Sequence, residues 1–442
     1  MINMTVERIA ELTGGELHGG GGDRPVAGAV RDNREVTPGV MFCALPGARR
    51  DGHEFIAAAL EAGAPCCLAQ RVPDGVDGSV ITVPDVAKAM AKLAAACRDE
   101  VKVPVVGITG SSGKTTTKEM CACVLSRKYR TLRTEKNFNN ELGVPLTLFR
   151  ISPETEAAVV ELGISGFGEM HRLGAMVRPD IAVYTLIGRS HLEALGDRRG
   201  VLRAKTELLD EMPQTGLIVA NGDDDLLAGL ECRQRKLTFG LGEGCDVRAV
   251  DYRCLGADGS VFTIVKGAHR IDTRVGAYGR HMVYAALAAA AVGLELGVPD
   301  EEIAAGISDY EPVGRRASII ETGSLTIIDD CYNANPDSTQ MAIKSASDLG
   351  GRLVCVLGDM LELGERSAEF HRETGRTALD CGAELITAGP LAAAMGGRHF
   401  ETKQELIAAL PGLLRRGDRV LVKASHSMGF EEITEALRLL KL

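Results

Sequence analysis

The stretch VGITGSSGKTTTKEM, residues 106–120, sets Gly110, Gly113, Lys114 and three successive threonines between an apolar run and a helical pattern. The full phosphate-loop spacing G-x-x-x-x-G-K-[ST] would need glycine at position 108, where the chain has Ile108. The match is therefore the shorter Gly110-Ser111-Ser112-Gly113-Lys114-Thr115. Its setting carries the reading, because an apolar strand from Val103 to Ile108 leads in and a helix leads out. In that setting, backbone N–H groups and the helix dipole bind phosphate oxygens. Lys114 would neutralise terminal phosphates, and the Thr115 hydroxyl would ligate Mg²⁺. The competing reading is a glycine turn with a solvated lysine.

Two more apolar runs end in candidate ligands. AAVVELG delivers Glu161 at its C-terminal end, and IAVYTLIGRSH delivers His191 just past its own. In open parallel sheets ligands bind outside the carboxyl ends of the strands, so both residues should meet the phosphate loop in one crevice. Taken singly, each reads as a cap, a surface pair or a structural histidine. Beside a phosphate loop they read as ligands for magnesium or contacts to its water shell. In GVLRAKTELLDEM, residues Val201, Lys205, Leu208 and Met212 share one helical stripe. Lys205 either snorkels to water or points inward for a purpose.

These residues need a scaffold, and the composition bounds it. A chain of 442 residues exceeds one hydrophobic core. The net charge of −10 with no basic run argues against nucleic acid or anionic membrane as a partner. The longest apolar segment, ALAAAAVGLEL, falls short of the roughly 18 residues a membrane span needs. The N-terminus has no basic segment followed by an apolar one, so no leader is expected. Twelve cysteines without a C-x-x-C pair suggest buried free thiols in a cytoplasmic protein.

Three blocks emerge. Residues 1–100 mix short strand-like runs with alanine-rich helices. Residues 101–312 alternate near-continuous apolar strands with helices, the pattern of a parallel sheet covered on both faces. Residues 313–442 repeat that alternation with LTIIDD, RLVCVLGDM, AELITAG and DRVLVKAS. The expected fold is α/β in three domains: a small N-terminal α/β domain, a central P-loop domain with a parallel sheet, and a C-terminal Rossmann-like domain.

Together these motifs resemble the Mur ligase family, the ATP-dependent amide-forming enzymes of peptidoglycan precursor synthesis. The resemblance spans nearly the whole chain. GITGSSGKTTTKEM is similar to the family's ATP loop, which brings in Thr109, Gly110, Ser111, Ser112, Gly113, Lys114, Thr115 and Thr116. TEKNFNNELG is similar to its asparagine-rich loop, with Asn137, Asn139 and Asn140. RDNREVTPGVMFCALPGARRDGHEFI resembles the segment for the uridine nucleotide, with Asn33 and Arg34. GRHMVYAALAAAA resembles the adenine-side helix, with His281. DDCYNANPDS, LGDMLELGE and VLVKASHSMGFEEI resemble the member that adds D-alanyl-D-alanine last.

The resemblance implies catalysis by Lys114, Glu161, His191 and Lys205. Metal ligands would be Thr115, Glu161, His191 and Lys205, holding two Mg²⁺ ions, with Lys205 carbamylated by CO₂. Burial would help that reaction by lowering the lysine pKa. From the third block Arg315, Asp330, Tyr332 and Asn333 would meet ATP, and Asn335 the substrate side. The implied partners are UDP-MurNAc-tripeptide and D-Ala-D-Ala, acting on a cytoplasmic monomer through an acyl phosphate.

Five positions depart from the family pattern: Asn33, Lys136, Leu186, Met282 and Ala285 stand where serine, glycine, an asparagine-containing segment and two asparagines are usual. They keep open a second reading, a degenerate paralogue that binds precursor or a partner without turnover. A P-loop kinase would need neither the first hundred residues nor the third block. Folylpolyglutamate synthetase shares the core but lacks such an N-terminal domain.

Overall fold

The computed structural model describes residues 1–47 and 50–442. Ala48 and Arg49, inside the stretch 31–56 that resembles a uridine-nucleotide segment, lie outside the described residues. Three separate sheets organise the chain. The cuts at 100 and 312 fall in stretches without helix or strand, between helix Val86–Asp99 and strand Val105–Thr109, and between helix Asp300–Ser308 and strand Ser318–Glu321.

The first sheet has five short strands. Four run parallel, and Glu16–His18 closes one edge antiparallel to Val80–Thr82. Helix Val86–Asp99 ties this block to the next. Arg98 Nε donates to the carbonyl of Val177 at 3.1 Å, and its guanidinium pairs with Asp180 at 3.1 Å.

The central sheet has nine strands. Strand Val105–Thr109 lies between Ala157–Glu161 on one side and Ile181–Tyr184 on the other, parallel to both. Every residue of these three strands is buried, which explains the unbroken apolar runs. The chain leaves Val105–Thr109 toward one edge and later returns to its other side. The phosphate loop therefore sits where the strand order reverses, the place such sheets leave open for ligands. Beyond Arg235–Gly240 the sheet continues into Val247–Cys254, Ser260–Lys266 and His269–Val275, the last two antiparallel. A simple strand–helix alternation does not anticipate that meander.

The third sheet has six strands, all parallel except edge strand Ser318–Glu321. Among the described residues no helix is long and apolar enough to cross a membrane. All twelve cysteines are free thiols, eight buried, three half-buried and Cys254 exposed.

Candidate active site

Two glycines shape the phosphate loop. Gly110 passes so close to strand end Ile181–Tyr184 that a Cβ there would lie 1.9 Å from Thr185 Oγ1. Gly113 has φ +81° and starts helix Lys114–Ser126, a conformation that disfavours a side chain. The loop is pinned from below. Ser111 N–H donates to Leu186 O at 2.8 Å, and the Thr185 hydroxyl donates to Ser112 O at 2.6 Å. The first-turn N–H groups of the helix have no intrahelical acceptor and border an open cavity. Lys114 Nζ donates to Gly110 O at 2.7 Å. Burial lowers its pKa, the Glu161 carboxylate works against that, and Arg316 adds to it.

Glu161 is 2 % exposed and accepts on both oxygens, from Thr115 Oγ1 at 2.9 Å and from Asn139 Nδ2 at 2.8 Å. Its own N–H donates to Thr134 Oγ1 at 3.0 Å, which fixes where the strand ends. Hydroxyl, carboxylate and amide oxygens side by side are hard donors that suit Mg²⁺. Among the described residues no cluster of three or more His, Cys, Asp or Glu could by itself hold a metal.

Lys205 points inward. Val201, Lys205, Leu208 and Met212 are all buried, with Lys205 1 % exposed. Its carbonyl accepts from the Tyr184 hydroxyl at 3.3 Å. Burial first, and then the charge of Lys114, holds its pKa well below the usual lysine value, with Glu169 opposing weakly. Lys205 is not among the residues that line the cavity, whereas His191 is.

The cavity measures about 550 Å³, and the central and third blocks both line it. Of the residues singled out in the sequence, the wall includes Ser111 to Thr116, Asn139, Asn140, Glu161, His191, His281, Asp330, Tyr332, Asn333 and Asn335. DDCYNANPDS is more than a turn: Asn335 caps helix Pro336–Ser347 through a capping box with Ser338, and Pro336 follows at its first position. The same Asn335 reaches Ser111 O from Nδ2 at 3.3 Å. One residue thus starts a third-block helix and touches the phosphate loop.

Other expected residues lie elsewhere. Arg315 pairs with Asp329 at 2.9 Å and Glu435 at 3.0 Å, away from the cavity. Its neighbour Arg316 lines the wall instead, with its guanidinium 3.9 Å over the Tyr332 ring. Thr109 and Gly110 support the loop from beneath and do not line the cavity. Asn33, Arg34 and Asn137 are also not in the wall. Arg34 is exposed and paired with Asp32 at 2.6 Å. Lys136, close to Asn137, has φ +50° where the family usually has glycine. It bridges to Glu35 of the first block at 2.9 Å.

Sequence reasoning missed Lys423, Thr185, Asn221, Asp223 and Tyr284. Lys423 is 3 % exposed and holds Asp330 at 2.6 Å and Asn333 O at 2.9 Å. A lysine inside the apolar strand Arg419–Lys423 was its visible signal. Central and third blocks also meet around the segment 188–191. The Arg189 guanidinium pairs with Asp337 at 3.0 Å and Glu373 at 2.5 Å.

A phosphate loop at a sheet switch point, an oxygen-rich pocket beneath it and third-block residues along the same cavity define a nucleotide-binding α/β protein of three blocks. Three family descriptions match the chain: "Mur ligase family, catalytic domain" over residues 30–103, "Mur ligase middle domain" over 108–293 and "Mur ligase, glutamate ligase domain" over 315–426. The chain belongs to the Mur ligase family.

Within that family it is 38% identical to the UDP-N-acetylmuramoyl-tripeptide–D-alanyl-D-alanine ligase of Bacillus subtilis, with 99% of each chain covered. The Escherichia coli enzyme of the same name is 34% identical at the same coverage. Among solved structures, MurF from Acinetobacter baumannii superposes with TM-score 0.91 at 31% identity, covering 98% of both chains. MurF from Thermotoga maritima in complex with ADP superposes with TM-score 0.83 at 29% identity, covering 93% of this chain and 97% of that one.

Proposed function

We propose that the chain is an ATP-dependent ligase that joins D-alanyl-D-alanine to UDP-N-acetylmuramoyl-tripeptide, yielding the pentapeptide, ADP and phosphate. The observation that carries this reading is the convergence of Lys114, Thr115, Glu161 and Asn139 below one cavity that third-block residues close. Full-length likeness to ligases of that name supports the choice of substrates.

The tripeptide carboxylate attacks the γ-phosphorus of ATP, giving an acyl phosphate and ADP. The two reactants are both anions, so the step needs positive charge held between them. Lys114, with its helix N-terminus, supplies part of it. We assign Thr115, Glu161 and His191 as the residues that would hold Mg²⁺, which when bound would neutralise charge and orient phosphate oxygens. Lys205, buried and depressed in pKa, offers the neutral amine that adds to CO₂ with loss of a proton. A carbamate there would offer a carboxylate to the metal in place of an amine. The amine of D-Ala-D-Ala then attacks the acyl carbon and expels phosphate. Asp330, oriented by Lys423, and the asparagines of the third block border that approach. Closure over the cavity excludes water, which would otherwise hydrolyse the acyl phosphate. We assign the protein to the cytoplasm as a monomer, and residues 1–100, 101–312 and 313–442 as its uridine-nucleotide, ATP and closing domains.

The direct test is phosphate release from ATP with UDP-MurNAc-tripeptide, with and without D-Ala-D-Ala. Release that depends on all three substrates, with pentapeptide formed in equal amount, is expected. Binding of the tripeptide nucleotide with no release would favour the non-catalytic paralogue.

The base of the nucleotide gives a sharper expectation. Met282 is fully buried and turned from the cavity, while Ala285 lines it. The Tyr284 hydroxyl is already committed to Asp223 at 2.9 Å. Alanine offers the adenine edge no hydrogen bond, a loss of about 0.5–1.5 kcal/mol. Weak discrimination between ATP and GTP is therefore expected, and Ala285→Asn should lower the ATP KM about two- to tenfold at little change in kcat. A strong preference for ATP in the unmodified protein would mean that another group, such as Asn221, reads the base.

A further inference from the structure

His191 reaches the cavity from a left-handed backbone position, with φ +52°. Residues with a Cβ avoid that region unless their surroundings hold them there. The residue facing it across the block boundary, Glu362, has φ +61°. Glu362 Oε2 lies 2.5 Å from His191 Nδ1. That nitrogen is buried and has no aligned hydrogen-bond acceptor among the described residues, so the Glu362 carboxylate beside it is a close ion-pair contact and not a formed hydrogen bond.

Glu362 stands on a braced loop. Asp359 Oδ1 accepts from the N–H groups of Leu391 and Ala392, at 3.0 and 2.7 Å. Met360 N–H donates to His371 Nε2 at 3.0 Å, and Leu361 N–H to Ser425 Oγ at 2.9 Å. From the central block, Glu193 N–H donates to Glu362 O at 3.2 Å. The contact thus joins two pieces, each bonded at several points, that belong to different blocks.

We propose that Glu362 is a positioning residue for His191. A small rotation of its carboxylate, already 2.5 Å away, lets it accept from Nδ1–H, which selects that tautomer and leaves Nε2 with the lone pair for the cavity. A histidine ligand held this way is oriented in advance and made more basic. Because the carboxylate comes from the third block, His191 is set only when that block is docked. The proposal rests on the reading of His191 as a cation ligand.

Full-length Glu362→Gln, Glu362→Ala and His191→Ala proteins, each checked for an unchanged melting temperature, test it. In ¹⁵N-histidine-labelled protein without added metal, the His191 signals are those lost in His191→Ala. The unmodified chain and Glu362→Gln should show the Nδ1–H tautomer, since an amide oxygen also accepts; Glu362→Ala should show a mixture. In turnover, Glu362→Ala should raise the KM for Mg²⁺ about 10- to 100-fold, and Glu362→Gln should recover most of that loss. An unaltered tautomer and Mg²⁺ KM in Glu362→Ala overturns the proposal and leaves the reading of His191 standing. A loss in Glu362→Gln as deep as in Glu362→Ala also overturns it, because charge between blocks would then be the cause. Normal turnover by His191→Ala removes the reading of His191, and the proposal with it.

Discussion

Lys205→Ala is expected to lose ligase turnover by about 10²–10³-fold and to regain part of it in acetate or formate. The stability change should be much smaller than that loss. Removing a large buried side chain leaves a cavity that typically costs about 2–5 kcal/mol. Here the removed group is an amine whose burial is itself unfavourable, its charged form disfavoured by burial and by Lys114. Relief of that burial offsets part of the cavity cost, and a short carboxylate can fill the vacated space. Growth in ¹³C-bicarbonate followed by ¹³C NMR should show a carbamate signal that the variant lacks. Full activity of the variant without any additive would remove Lys205 from the mechanism.

Glu161→Gln should cost turnover about as much, by a different route. The amide has nearly the shape of the carboxylate and can still bond Thr115 and Asn139 after those groups reorient. The fold should therefore melt within a few degrees of the unmodified chain. What disappears is the negative charge that moderates Lys114 and that, in the proposed mechanism, holds a divalent cation. A bound cation contributes several kcal/mol to neutralising phosphoryl transfer, and each 1.36 kcal/mol is about tenfold in rate. A drop of about 10²–10³-fold in phosphate release, not recovered by excess Mg²⁺, is expected. Activity within tenfold of the unmodified chain would show that Glu161 only braces the loop.

The parts of this site legible in the sequence are those set by local geometry. Gly110 and Gly113 mark a loop because one admits Thr185 and the other takes a positive φ. Glu161 and His191 follow strands whose apolar runs announce burial on both faces. Lys205 was visible because a charge interrupts a stripe of spacing four, three and four, though only packing decides which way it turns. Arg315 and Arg316 show the limit. They are neighbours with the same chemistry, and Asp329 and Glu435 draw one away while the other meets Tyr332. Those partners are remote in sequence or chosen by the fold, so no local pattern separates the two arginines. The antiparallel meander after Val247–Cys254 escaped for another reason: its last strand, His269–Val275, alternates rather than runs apolar, and the expectation of a parallel sheet gave the meander no place.

The cysteines give the molecule one open address. Most of the other thiols are buried and pushed up in pKa, as burial does to Cys43, Cys121 and Cys355. Cys254 alone is exposed among the described residues. It ends strand Val247–Cys254, and Gly256 two residues on would, with a Cβ, meet Leu349 of the third block at 3.9 Å. The native chain thus carries a fluorophore attachment point beside the seam between two blocks, with no cysteine to be added. A dye placed there sits where separation of those blocks would change its surroundings.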